Sequence, residues 1–146
     1  MPQHTFDRLQ LAVEQLDLAI ELFLSHRSDV AALTLAGAAE EILGKAVNRI
    51  GGQSALEQTH ETLALTSRIL RGVELKYNSV ADEENYARNS VKHLREGEDA
   101  TVTTDIHRAA QSMIVRACTN YGRLDLPWTD PIKSFDDWFL EHEVGV

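Results

Sequence analysis

Between Asp29 and Ile50 the chain reads DVAALTLAGAAEEILGKAVNRI, and this stretch limits the fold more than any other. Val30, Ala31, Ala32, Leu33, Leu35, Ala36, Ala38 and Ala39 leave its first half almost no polar face. A helix that is apolar all round belongs at the centre of a domain or in an interface. Small residues (Ala32, Ala36, Gly37, Ala38, Ala39) let neighbouring helices approach closely. Glu40 and Glu41 then interrupt the pattern, and an acid on a nearly buried helix needs a partner. Arg88 or Lys92 would supply one, placing this helix beneath them. Alternatively the acids reach solvent or pair locally with Lys45. Gly51-Gly52 ends the element.

The other segments read as helices that surround it. Over residues 4–25, Phe6, Leu9, Val13, Leu16, Ile20 and Phe23 step by three and four and form one apolar stripe. His26–Asp29 is a turn with a capping residue. Ser54–Gly72 opens with Ser54 and Glu57, a capping box, and places Leu56, Leu63, Ile69 and Leu70 inward. Val73–Ala81 reads as a connection. Asp82–Glu98 begins with acids and ends with Arg95 before Gly97, which suits a helix and its dipole. Its inward residues are Ala87, Val91 and Leu94. A fifth helix, roughly 104–124, takes Thr103 or Thr104 as cap. Ile106, Ala109, Met113, Ala117 and Tyr121 form its stripe, and Cys118 is a core residue beside it.

The tail changes character. Pro127 and Pro131 read as breaks, and Ser134–Leu140 as a short capped helix. Both tryptophans and two of the four phenylalanines fall within the last 19 residues, and so much aromatic surface must be buried somewhere. These readings together give an all-α chain. Five main helices and a short C-terminal sixth form one up-and-down antiparallel bundle over residues 1–125. Residues 126–146 form an aromatic arm that packs on the bundle or on a second subunit.

At 146 residues the chain can bury one core. Its apolar runs are far shorter than a membrane span, and its first residues lack a signal-peptide core. A cytoplasmic location with no membrane partner is the expectation. A single cysteine fits a reducing compartment. The net charge of −9 argues against general attraction to bulk nucleic acid. The charge is uneven, however. Residues 68–95 carry 6 bases and 4 acids, whereas the segments before and after are both strongly acidic. Arg68, Arg71, Lys76, Arg88, Lys92 and Arg95 could face phosphate, with Lys92 and Arg95 as candidate substrate-binding residues. The plainer account is solvated helix charge, including an i,i+4 pair of Glu84 with Arg88.

The basic segment contains Arg88-Asn89-Ser90-Val91-Lys92-His93. On a continuous helix Asn89 and His93 would project ~40° apart, with Arg88 ~140° from His93. Neutral His moves protons near pH 7, the Arg fork matches a phosphate, and Asn can orient an imidazole. Such a set could cleave RNA without a metal. A base would take the ribose 2′-OH proton, Arg would steady the phosphate, and an acid would protonate the leaving oxygen. Two facing copies would supply the two histidines that this needs.

This Arg-polar-x3-His motif, in a late helix of a small helical chain, resembles the HEPN domains of prokaryotic defence and toxin systems. Leu35–Arg49 (LAGAAEEILGKAVNR) also resembles the second helix of bacterial HEPN-like proteins. The resemblance implies an antiparallel four- or five-helix bundle and a homodimer that pairs the motifs. It further implies metal-independent RNase activity in active members, an RNA or nucleotide substrate, no cofactor, and a nucleotidyltransferase or antitoxin partner. On this chain His93 would be the general acid/base, Arg88 the phosphate stabiliser and Asn89 a positioning residue, with Glu40 and Glu41 in support. Other members only bind nucleotides or act as scaffolds. Accordingly the second reading is a non-catalytic helical interaction module, with His93 an inert interface residue, and an acidic body and aromatic arm suit it. A third reading, a metal-binding four-helix bundle, would draw on Glu57-x-x-His60, but a second such pair is missing from the chain.

Overall fold

The computed structural model describes residues 1–145, so Val146 of the expected arm lies outside it. The chain is all-helical, with 70% of residues in helix and no strand among the described residues. The elements are α1 (Arg8–Leu24), α2 (Asp29–Arg49), α3 (Ala55–Arg71), α4 (Tyr77–Glu84), α5 (Tyr86–Lys92), α6 (Ile106–Gly122) and α7 (Asp130–Phe139). A π-helical turn, Leu140–Val144, follows α7. None of the described helices is long and apolar enough to cross a membrane.

The all-apolar stretch takes the central place its composition demands. α2 packs along both α1 and α6. Leu33, Ala36, Ala39 and Leu43 of α2 meet Leu16, Ile20 and Phe23 of α1 and Met113, Ile114 and Ala117 of α6 in one buried cluster. α7 joins the same cluster through Ile132 and Phe135, with Trp138 and Phe139 against its edge. Phe23 anchors this end, meeting Phe135 and Trp138 edge-on at ring separations of 6.0 and 5.1 Å. Tyr121 ties the entry to α7 by donating to the carbonyl of Pro127 at 2.5 Å. Cys118 is largely buried, and burial pushes its thiol up to about 12.

Where termini are set by local chemistry, they follow the sequence. Ser28 caps α2 by accepting from the backbone N–H of Ala31. Ser54 and Glu57 form the capping box of α3. The hydrogen bond from Asn48 is the main reason that Glu57 sits below its ordinary carboxylate value, and the Ser54 backbone adds to it. Gly72 ends α3 at φ 64°, a left-handed conformation that a side chain would strain.

Several expected boundaries move, each for a physical reason. α1 starts at Arg8 because Asp7 accepts from the backbone N–H of Leu9 and caps it there. Phe6 therefore drops out of the stripe and lies exposed. α6 is capped by Asp105, not by Thr103 or Thr104. Pro131 sits in the first turn of α7, where its missing N–H costs nothing, so it starts the helix instead of breaking it. The Val73–Ala81 connection contains the start of α4. The helix expected over 82–98 is divided at Asn85 and stops at Lys92. Leu94, expected inward, is exposed, so no burial supports a further turn.

α3 departs most from its expected packing. Leu56 and Ala64 are buried, but Leu63, Leu65, Ile69 and Leu70 are exposed. These four side chains, most of them in the second half of the helix, lack cover from the bundle, whereas α4 starts beside the first half, with Tyr77 against His60. Truncation should separate the two kinds of apolar residue. Ile114→Ala, at the α2–α6 contact, should cost about 2–5 kcal/mol in urea unfolding. Ile69→Ala, followed at a dilution that keeps the chain monomeric, should stay within about 0.5 kcal/mol of the parent.

Candidate functional site

The site is built around an acid that α2 cannot leave unpaired. Glu40 follows three buried small residues and is itself 5% exposed. Arg116 of α6, also buried, donates through Nη2 to Glu40 Oε1 at 2.9 Å. The other arm of the same guanidinium donates through Nη1 to Asn85 Oδ1 at 2.9 Å and to the Glu84 carbonyl at 3.4 Å. Arg116 therefore satisfies a carbonyl at the end of α4 and holds the α4–α5 break in place. Asn120, one turn on, donates to the Glu40 carbonyl at 3.3 Å and accepts from the backbone N–H of Ala55 at 2.8 Å. One polar seam thus joins α2, α6, the start of α3 and the break before the motif.

Arg88 reaches this seam from α5. Its aliphatic stem lies over Gly37, where an added Cβ would come 2.5 Å from Arg88 Cδ. Only glycine at position 37 leaves room for that path. The guanidinium is not equivalent to that of Arg116. Its Nη1 is 3.9 Å from Glu40 Oε2, beyond hydrogen-bond distance. Its Nη2 makes a long hydrogen bond of 3.4 Å to Asn89 Oδ1, and its Nε, like that of Arg116, is buried without a hydrogen-bond partner among the described residues. The Arg88 side chain keeps 17% of its surface. Glu40 is thus neutralised chiefly by Arg116, while Arg88 is aligned by charge and steric fit with little hydrogen bonding.

The other expected site residues lie around it in different environments. Asn89 is half-buried and touches Arg88. Lys92 is exposed. With Arg88, Thr34, Gly37, Ala38 and Glu41 it lines a small recess of about 100 Å³ between α2 and α5. Glu41 is not buried under the motif. It accepts from Lys45 Nζ at 3.1 Å, and this hydrogen bond holds its carboxyl below the ordinary value, with Arg88 and Lys92 adding to the pull. Of the two acids, then, Glu40 takes the supporting position and Glu41 pairs locally. The i,i+4 pair of Glu84 with Arg88 does not form, because Arg88 turns towards Glu40.

His93 corrects the expected geometry most. It caps α5 with an extended backbone, φ −127° and ψ 144°, and is exposed. It therefore does not share a helical face with Asn89. Arg95 is exposed on the segment beyond, its backbone N–H donating to Glu98 Oε1 at 2.7 Å. Glu57 and His60 do not converge on a common centre. Glu57 serves the cap, and His60 Nε2 lies 2.9 Å from the Leu75 carbonyl. Among the described residues, no group of three or more His, Cys, Asp and Glu side chains is placed to hold a metal.

Arg116 and Asn120 escape the sequence reading, which takes Gly37 only as one of the small residues that let helices approach. Arg116 and Asn120 lie four apart, on one face beside the apolar stripe of α6, a spacing that could have marked them as a buried polar pair. Removing the acid should expose its role. Glu40→Gln leaves two cations facing a neutral amide and should destabilise the fold by about 3–5 kcal/mol in chemical unfolding. Glu41→Gln, at a half-exposed surface pair, should shift stability by less than about 1 kcal/mol. Compared with protein-family models, with curated proteins and with solved structures, the chain matches none, so what its site can do rests on the residues themselves.

Proposed function

We propose that this chain is a HEPN-like, metal-independent endoribonuclease that acts as a homodimer, the toxin component of a cytoplasmic defence or toxin–antitoxin module. Its helices are read with this as an up-and-down antiparallel bundle. The observation that supports the reading best is the condition of Arg88. Arg116 already neutralises Glu40, and Arg88 is held beside them, 3.9 Å from the carboxylate. A phosphate arriving at the α2–α5 recess could draw on the free donors of Arg88 without leaving a buried charge unpaired. Lys92 stands on the same recess.

The chemistry follows from the residue types. An imidazole takes the proton from the ribose 2′-OH, and the alkoxide attacks the adjacent phosphorus. Arg88 stabilises the charge that builds on the non-bridging oxygens, with Asn89 fixing the guanidinium. A second imidazole gives its proton to the departing 5′-oxygen, leaving a 2′,3′-cyclic phosphate. Each chain brings His93 on an exposed, extended segment, so two copies supply base and acid.

A second reading, a non-catalytic interaction module, draws on a different observation: the apolar residues at the outer end of α3 are exposed. RNA cleavage in excess EDTA separates the two. The parent protein should produce cyclic-phosphate ends, and His93→Ala should lower the rate by about 10²–10⁴-fold. Arg88→Ala should do likewise while folding normally, because Glu40 keeps Arg116. Gly37→Ala, which displaces the Arg88 stem, should lose rate without any change to the motif. Absence of cleavage would favour the interaction module, and cleavage that survives His93→Ala would overturn the role given to His93.

A further inference from the structure

Two surface features have opposite charge and matching apolar character. The first is the outer end of α3 and the turn into α4. Leu65, Ile69, Leu70 and Val73 are between 51% and 75% exposed there. Across residues 65–77 the charged side chains are Arg68, Arg71 and Lys76 against the single acid Glu74. This knob is built firmly. Gly72 closes the helix in a left-handed conformation. Ser67 Oγ donates to the Val73 carbonyl at 3.0 Å. His60 contacts the Leu75 carbonyl and packs edge-on against Tyr77 at 5.6 Å. A rigid, basic, apolar projection is a poor arrangement for a surface that only meets water.

The second feature is a groove of about 740 Å³ along α1, closed on its far side by Tyr121, Leu126 and Pro127. Leu9, Val13 and Leu18 give it apolar walls, and Asp7, Glu14, Asp17 and Glu21 line it. Among the described residues, no base lines it. Asp17 takes a hydrogen bond from Thr129 Oγ1 at 2.6 Å. Burial still raises its carboxyl above the ordinary value, and Glu21 and Asp130 push the same way. Asp17 thus meets like charge from Glu21 beside apolar walls, and a cation set on an apolar body would relieve it.

We propose that the α3–α4 knob of one copy docks in the α1 groove of a second copy, and that the exchange is reciprocal, giving a closed dimer. Ile69, Leu70 and Val73 would enter the groove, with Arg68 and Arg71 meeting Glu14 and Glu21. Two identical contacts close the pair, so no knob or groove is left to propagate a chain. Complementary charge fixes the pairing even though each copy is strongly acidic overall. The inference names the surfaces that would hold the proposed homodimer together, and it does not depend on nuclease activity.

A charge swap tests it with the intact chain. All four positions are exposed, so circular dichroism should be unchanged in each variant. Sedimentation velocity should find the parent protein dimeric at tens of micromolar. Arg68→Glu with Arg71→Glu should be monomeric, since acidic knobs then face acidic grooves. Glu14→Lys with Glu21→Lys should be monomeric for the mirror reason. An equimolar mixture of the two variants should recover the dimer, because every knob again meets a groove of opposite charge. Four outcomes would overturn the proposal: a monomeric parent, a parent that grows beyond dimers, variants that dimerise like the parent, or a mixture that stays monomeric.

Discussion

A carboxylate set in the most apolar helix of the chain has to be neutralised where it stands. Glu40 imposes this requirement, and the polar seam of the molecule follows from it. Arg116 answers from α6 with a charge-assisted hydrogen bond. Its other terminal nitrogen, Nη1, then needs acceptors, and Asn85 and the Glu84 carbonyl supply them. The break between α4 and α5 is therefore part of the same solution, not a local accident of sequence. Asn120 extends the seam to the start of α3. The alanine-rich surface of α2 permits this arrangement because small residues bring α6 close along its length.

Two arginines near one acid divide the work unequally. The 2.9 Å contact of Arg116 offsets much of the cost of burying both ions. The 3.9 Å approach of Arg88 is a charge interaction without a hydrogen bond. Structure thus rests mainly on Arg116, which leaves Arg88 aligned but lightly bound. That is a useful condition for a residue meant to meet an anion, since little has to be broken when the anion arrives. Gly37 contributes by omission, because any side chain there would occupy the path of the Arg88 stem.

Much of the frame was legible in the sequence, and the reason differs by element. The central place of α2 could be read from its lack of a polar face, and the capping box of α3 from two residues three apart. Glu40 and Glu41 announce that they need partners, with Arg88 or Lys92 on one reading and solvent or Lys45 on the other; Arg88 approaches Glu40, and Glu41 takes Lys45. Arg116 was not legible, because it lies 76 residues away and beside the apolar stripe, where an arginine ordinarily reads as solvated. The motif helix was read as continuous through His93 because its residues favour helix. Tertiary contacts set its real ends: Arg116 at Asn85, and the lack of burial after Val91. The outer half of α3 has helical apolar spacing, but the bundle ends before that surface does.

Glu40 divides unequally between its two partners. Double-mutant cycles in chemical unfolding measure this division directly, pairing Glu40→Gln first with Arg116→Met and then with Arg88→Met. The coupling should be about 2 kcal/mol or more for Glu40 with Arg116, and below about 1 kcal/mol for Glu40 with Arg88. Equal couplings, or the larger one at Arg88, would contradict this division and make Arg88 a structural ion-pair partner instead of a residue kept ready for phosphate.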